Sequence, residues 1–113
     1  MCSKEMLNSL LARLYAQLNE IFGTHLRSVI LFGSYARNDA NEDSDVDVLI
    51  LLDLPREEIA RYRRDVAEIT GEFLLTENLL FSPILENESF FERHRQILPF
   101  YQNIAREGVR IVA

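Results

Sequence analysis

Apolar residues recur at helical spacing over residues 4–22. Leu7, Leu10, Leu11, Leu14, Leu18, Ile21 and Phe22 stack on one face, with Ser3 placed to cap the start and Gly23 to close the end. The period then changes. Ser28–Phe32 is a short β-branched run stopped by Gly33, which predicts a buried strand. Residues 38–44 are polar and predict a loop, and Val46–Leu52 is apolar on both faces, as expected of a central strand. Pro55 opens a second helical pattern, with Glu57 and Glu58 at its positive end. Its stripe is Ile59, Tyr62, Val66, Ile69 and Phe73, and Gly71 is expected near its end. Asn78–Leu85 predicts a third strand, in which Pro83 calls for an edge or late position. Ser89 and Glu92 are spaced as a capping box for a further helix. Pro99 breaks or restarts it, a last helix reaches Glu107 before Gly108, and Val109–Val112 is apolar enough for a short strand. The order α-β-loop-β-α-β-α predicts one α/β (α+β) domain over residues 1–113, a small sheet covered by helices.

Composition narrows the class. The 113 residues suffice for a single core, and 48% apolar with 27% charged content is ordinary for a globular domain. No apolar run approaches the roughly 18 residues of a membrane span, and the first residues lack the layout of a signal peptide. The single cysteine, Cys2, has no partner for an internal disulfide, which fits a reducing cytoplasm. A net charge of −6 speaks against direct, sequence-independent binding of nucleic acid. It suits a basic protein partner or a metal-screened nucleotide.

The chemistry concentrates between Val29 and Leu52. Asp45 and Asp47 stand two apart where a strand begins, so their carboxylates share a face with Cα atoms roughly 6–7 Å apart. At that separation and an effective dielectric near 20, their repulsion is on the order of 2–3 kcal/mol. Asp39, Glu42 and Asp43 add to it, and a divalent cation would relieve it. Gly33 lets a phosphate approach the backbone, and Ser34 would donate its hydroxyl and amide from a short helix, Tyr35–Arg37. Arg37 suits either a phosphate or an ion pair with Asp39. A calcium loop starting at Asp39 would need Gly at its sixth position and Glu at its twelfth, but Ser44 and Ile50 stand there. His25 and His94 have nothing placing them together, and the two-glycine Walker A loop is absent.

Gly33-Ser34-Tyr35-Ala36-Arg37, followed at this separation by Ser44-Asp45-Val46-Asp47, resembles the signature of the nucleotidyltransferase superfamily that includes DNA polymerase β. The resemblance is specific over about residues 29–52, and Phe100–Val109 is similar to the tail of the family's minimal, stand-alone members. It implies the nucleotidyltransferase fold, a small mixed β-sheet of three or more strands. It also implies Asp45 and Asp47 as catalytic residues holding Mg²⁺ (or Mn²⁺), and Gly33, Ser34 and Arg37 on the phosphates of a nucleoside triphosphate, expected to be ATP. The implied reaction is transfer of AMP to a hydroxyl. In the antitoxin branch the acceptor lies on a small helical HEPN-type toxin; the alternative is a weak or inactive nucleotide-binding antitoxin that acts by complex formation. A homo-oligomer is left open. Two positions depart from the pattern. Asn38 replaces a usual Gly, in a turn whose left-handed backbone Asn tolerates. A third carboxylate is absent from Asn78–Leu85, with Glu77 just before and Glu86 just after.

Overall fold

Six of the seven residues on the first predicted stripe are buried, and the seventh, Ile21, packs at the margin of the same cluster. The helix, α1, runs Lys4–Phe22. Ser3 Oγ accepts the Met6 amide at 3.1 Å, and Gly23 ends the helix at φ 55°. The computed structural model describes residues 3–111, so Cys2 and the last residue of the predicted strand, Val112, lie outside the described residues.

Four strands follow: β1 (Leu26–Phe32), β2 (Val46–Leu52), β3 (Phe81–Asn87) and β4 (Val109–Ile111). Their order across the sheet is β3-β2-β1-β4. β1 pairs antiparallel with β2 and with β4, while β2 pairs parallel with β3, which makes the sheet mixed. β2 is therefore interior and β3, which carries Pro83, is an edge strand, as their compositions require. Helix α2 (Arg56–Ile59), a single 3₁₀ turn at Ala60–Tyr62 and helix α3 (Arg63–Glu77) connect β2 to β3. Helices α4 (Glu88–His94) and α5 (Pro99–Glu107) lead to β4. Among the described residues, no helix is long and apolar enough to cross a membrane.

The pleat decides what each face carries. Val46, Val48, Ile50 and Leu52 point to one face and join α1 and α3 in the larger core cluster. Leu49 and Leu51 point to the other, where Phe32, Phe91 and Ile104 meet them under α4 and α5. Asp47 shares the parity of Leu49, so its carboxylate belongs to the α4–α5 side.

Several boundaries differ from the pattern. The second helix is interrupted by the 3₁₀ turn, where the Tyr62 ring packs on Phe22 with centroids 4.9 Å apart. Gly71 does not end it. The helix continues to Glu77 and stops at Asn78, whose φ of 53° is left-handed. That delays β3 to Phe81 and carries it through Glu86 to Asn87. The capping box of Ser89 and Glu92 does not form either. Asn87 caps α4, its Oδ1 accepting the Phe90 amide at 2.8 Å while its Nδ2 donates to the Leu54 carbonyl at 2.7 Å. Glu92 instead meets Arg95 at 3.4 Å.

Glu86, 3% exposed, is a buried carboxylate satisfied from three segments. Its oxygens accept the Tyr101 hydroxyl at 2.6 Å and the Asn87 amide at 2.9 Å, and lie 3.2 Å from Arg56 Nε. The contact ties α5 to β3. Burial, then the Glu86 hydrogen bond and charge, push the Tyr101 phenol up to about 12 from its ordinary 10.0.

Two outcomes follow from this packing. Leu14 is fully buried, so Leu14→Ala should lower unfolding free energy in urea by about 2–5 kcal/mol; a loss below about 1 would contradict its place in the core. In an ultraviolet titration of the folded protein, one phenol should ionise near 12 and move down in Glu86→Gln. The folded value exceeds the unfolded one, so this contribution to stability is full below about pH 10 and lost as pH rises through about 12. An unmoved midpoint in Glu86→Gln would rule the contact out.

Candidate active site

β1 ends at Gly33, whose φ of 77° turns the chain back toward β2. Its carbonyl accepts the amides of Ala36 and Arg37, each at 3.1 Å, and the Ser34 carbonyl accepts the Asp39 amide at 3.0 Å. Instead of the expected short helix at Tyr35–Arg37, these bonds make a single helix-like turn across residues 34–38. Asn38 closes it at φ 62°, a conformation in which Asn stands in for Gly. The following loop is pinned from within. Asn41 Oδ1 accepts the Asp43 amide and Ser44 Oγ accepts the Asn41 amide, both at 2.9 Å.

This loop delivers Asp45 immediately before β2 and Asp47 as the second residue of the strand. Asp47 is register-paired with Phe32 of β1 and with Ser82 of β3. Ser82 Oγ donates to Asp45 Oδ2 at 3.1 Å, so the two aspartates and Ser82 converge at one end of the sheet. Gly33 is also brought against this group. A Cβ there would collide with the Asp47 carboxylate, meeting Oδ2 and then Cγ at 3.2 Å. Only glycine allows the turn to come this close to Asp47.

Asp47 is a half-buried carboxylate beside a like charge. Burial, then the negative charge of Asp45, raise the Asp47 carboxyl above its ordinary value, and Arg37 opposes them. Arg37 Nε lies 3.3 Å from Asp39 Oδ2 and its Nη1 lies 3.5 Å from Glu107 Oε2. The hydrogen bond and charge of Asp39 raise the guanidinium still further, so it stays positive. Two hard carboxylates on one face, backed by a hydroxyl and a glycine cradle, form a donor set that suits a divalent cation with oxygen ligands.

The remaining acids and histidines lie elsewhere. Glu77 pairs with Arg13 at 2.8 Å, and Glu86 sits four residues beyond Ser82, roughly 13 Å along the strand. His25 Nδ1 lies 3.2 Å from the Asp53 carbonyl, while His94 Nδ1 lies 2.8 Å from that of Phe90. Among the described residues, no group of three or more His, Cys, Asp and Glu side chains is arranged to hold a metal. Opposite Asp47 on β3 stands Ser82, a hydroxyl and not a carboxylate.

Sequence reasoning missed one wall of the site. A cavity of about 420 Å³ is bounded by Gly33, Arg37 and Asp47 on one side and by Phe100, Asn103 and Glu107 of α5 on the other. The signal lay in parity: Phe32 and Asp47 face the same side of the sheet as Ile104, the buried residue of α5.

A family model described as a nucleotidyltransferase domain matches residues 11–111. A Methanocaldococcus jannaschii protein named provisionally as a protein adenylyltransferase is 41% identical over 83 residues, which are 73% of this chain and 56% of that protein. This chain thus spans little more than half of that relative's length. Another from the same organism, named in the same way, is 32% identical over 74% of this chain and 75% of its own. The protein adenylyltransferase MntA of Thermococcus cleftensis is 44% identical over 50 residues, which are 44% of this chain and 48% of that protein. Among solved structures, a chain of the toxin–antitoxin MntA–HpeT crystal structure superposes with a TM-score of 0.58 at 14% identity, covering 94% of this chain and 73% of that one. A structure named provisionally as a minimal nucleotidyltransferase superposes with a TM-score of 0.52 at 25% identity, covering 91% and 93%. Sequence, fold and the family model agree, and the chain belongs to the nucleotidyltransferase domain family.

Proposed function

We propose that this chain, as a single domain over residues 1–113, transfers AMP from ATP to a hydroxyl on a partner protein. The observation that carries the reading is the close approach of the Gly33 turn to Asp47, which puts a glycine turn beside a pair of neighbouring carboxylates. Relatives named as protein adenylyltransferases support a protein acceptor, and the toxin–antitoxin assembly of the structural neighbour supports a toxin as that acceptor. We take the partner to be a small helical HEPN-type protein in the cytoplasm.

In this mechanism Gly33 and Ser34 seat the β- and γ-phosphates through backbone amides and the serine hydroxyl. Arg37, held between Asp39 and Glu107, adds positive charge at the same turn. Asp45 and Asp47 would hold Mg²⁺ or Mn²⁺, which supplies charge neutralisation at the α-phosphate and acidifies the acceptor hydroxyl. The acceptor oxygen forms a bond to the α-phosphorus, and the bond to the bridging oxygen breaks. Pyrophosphate leaves with that electron pair. Ser82 fixes Asp45 but offers no base of carboxylate strength, so the hydroxyl proton passes to water.

Ser82 also favours a second reading. With a hydroxyl in place of a third carboxylate, turnover would be weak or absent, and the protein would be a nucleotide-binding antitoxin that neutralises its partner by forming a complex.

Mixing the protein with Mg²⁺, α-labelled ATP and candidate small helical proteins should yield a labelled partner, and Asp47→Asn should abolish the label. Absence of label from every partner tried would sink the transfer reading. If Asp45→Asn/Asp47→Asn still neutralises the partner, complex formation is the function. Gly33→Ala should cost about 1–3 kcal/mol in stability, from strain at φ 77° and from collision with Asp47, and should weaken ATP binding. Melting and ATP titration curves like those of the parent would contradict that role for Gly33.

A further inference from the structure

Two depressions flank the aspartate pair, and their charges differ. One is lined by Met6, Leu74 and Leu80 together with Glu42, Asp43, Asp45 and Glu77; no cation is among its described lining residues. A polyanion would be repelled there. The other is the cavity of about 420 Å³ between Gly33, Asp47 and α5, a volume in the range of small-ligand sites. It brings Arg37 and Arg106 to balance Asp47 and Glu107. Of these two depressions, the one toward α5 is the one electrostatically open to a nucleotide with its phosphates at the Gly33 turn.

On that side stands an aromatic ring. Phe100 is 50% exposed although it lies beside a buried cluster, so half of its surface faces the cavity and solvent. Phe32 holds it edge to face, with centroids 5.7 Å apart and planes at 82°. Asn103 follows one turn later on the same wall, and its Oδ1 accepts from Arg106 Nη2 at 2.9 Å, which turns the carboxamide donors away from that arginine. The wall is fixed in place by Ile104, buried to 2% exposure, and by the Tyr101–Glu86 hydrogen bond. A half-exposed ring next to a polar amide is suited to a flat heteroaromatic ligand.

We infer that Phe100 is the stacking platform for the nucleobase, with Asn103 at the base edge, so that α5 is the nucleoside-binding wall of the site. This rests on the transfer reading above, in which the phosphates lie at Gly33 and Ser34. Stacking has no bearing on a ligand that lacks a base.

The test compares ATP with inorganic tripolyphosphate, each titrated calorimetrically with Mg²⁺ into the full chain, its Phe100→Leu variant and its Phe100→Tyr variant. Leucine preserves apolar packing on Phe32 without a π-face, and thermal melts verify folding. Phe100→Leu should weaken ATP about 5- to 150-fold, the span of a lost base–aromatic stack, with tripolyphosphate unchanged and Phe100→Tyr close to the parent. Unchanged ATP affinity in Phe100→Leu overturns the inference, as does an equal loss for both ligands, which would place the effect on the phosphates. If the parent protein binds neither ligand, the nucleotide reading itself fails, and the base platform fails with it.

Discussion

The Gly33 backbone passes so near the Asp47 carboxylate that no side chain fits between them. Much else follows from that approach. It requires β1 to end in a left-handed residue and the chain to turn at once, which the paired amides of Ala36 and Arg37 accomplish. It requires β2 to begin with its carboxylate aimed away from α1 and α3, or Asp47 would enter the larger apolar cluster. It also keeps Asp47 half-buried beside the like charge of Asp45, and Arg37 works against the resulting rise in the Asp47 carboxyl. The turn, the strand phase and the electrostatics express one constraint.

Much of this was written locally. The two-sided apolar run Val46–Leu52 announced an interior strand, and the stripe from Leu7 to Phe22 announced α1, because each depends on neighbours within the element. Asn38 could be read as a tolerable replacement for Gly because left-handed backbone is a property of the residue itself. What escaped depended on distant partners. Glu86 looked like a flanking acid because an isolated carboxylate does not choose burial; Tyr101 and Arg56, remote in sequence, make it stable there. Asn87 took the cap from Ser89 because its amide is also held by the Leu54 carbonyl across the fold. The α5 wall was invisible for the same reason. It reaches Gly33 and Asp47 only because the chain returns to pair β4 with β1.

Two polar residues of β3 divide the labour. Ser82, opposite Asp47, spends its hydroxyl on orienting Asp45. Glu86, on the same parity, spends its charge on α5. The strand therefore supports the site at both ends, by steering one carboxylate and by holding the opposite wall, without adding a third carboxylate to the pair.

The mixed sheet has a further consequence for how the cavity opens. The carboxylates ride on β2, whose residues other than Asp47 are all buried and which is hydrogen-bonded along both edges. The facing wall is anchored at fewer points: α5 contributes one buried residue, Ile104, and the Tyr101–Glu86 hydrogen bond, and β4 is three residues long and mostly exposed. Closing that wall spans the whole distance from β1 to the end of the described chain, the longest loop in the sheet and the one with the largest closure entropy. Local opening is cheapest where few apolar residues are buried. The two halves of the cavity are thus unequal in anchorage: β2 is set by buried side chains and two hydrogen-bonded neighbours, α5 by the Ile104 contact and the Tyr101–Glu86 hydrogen bond.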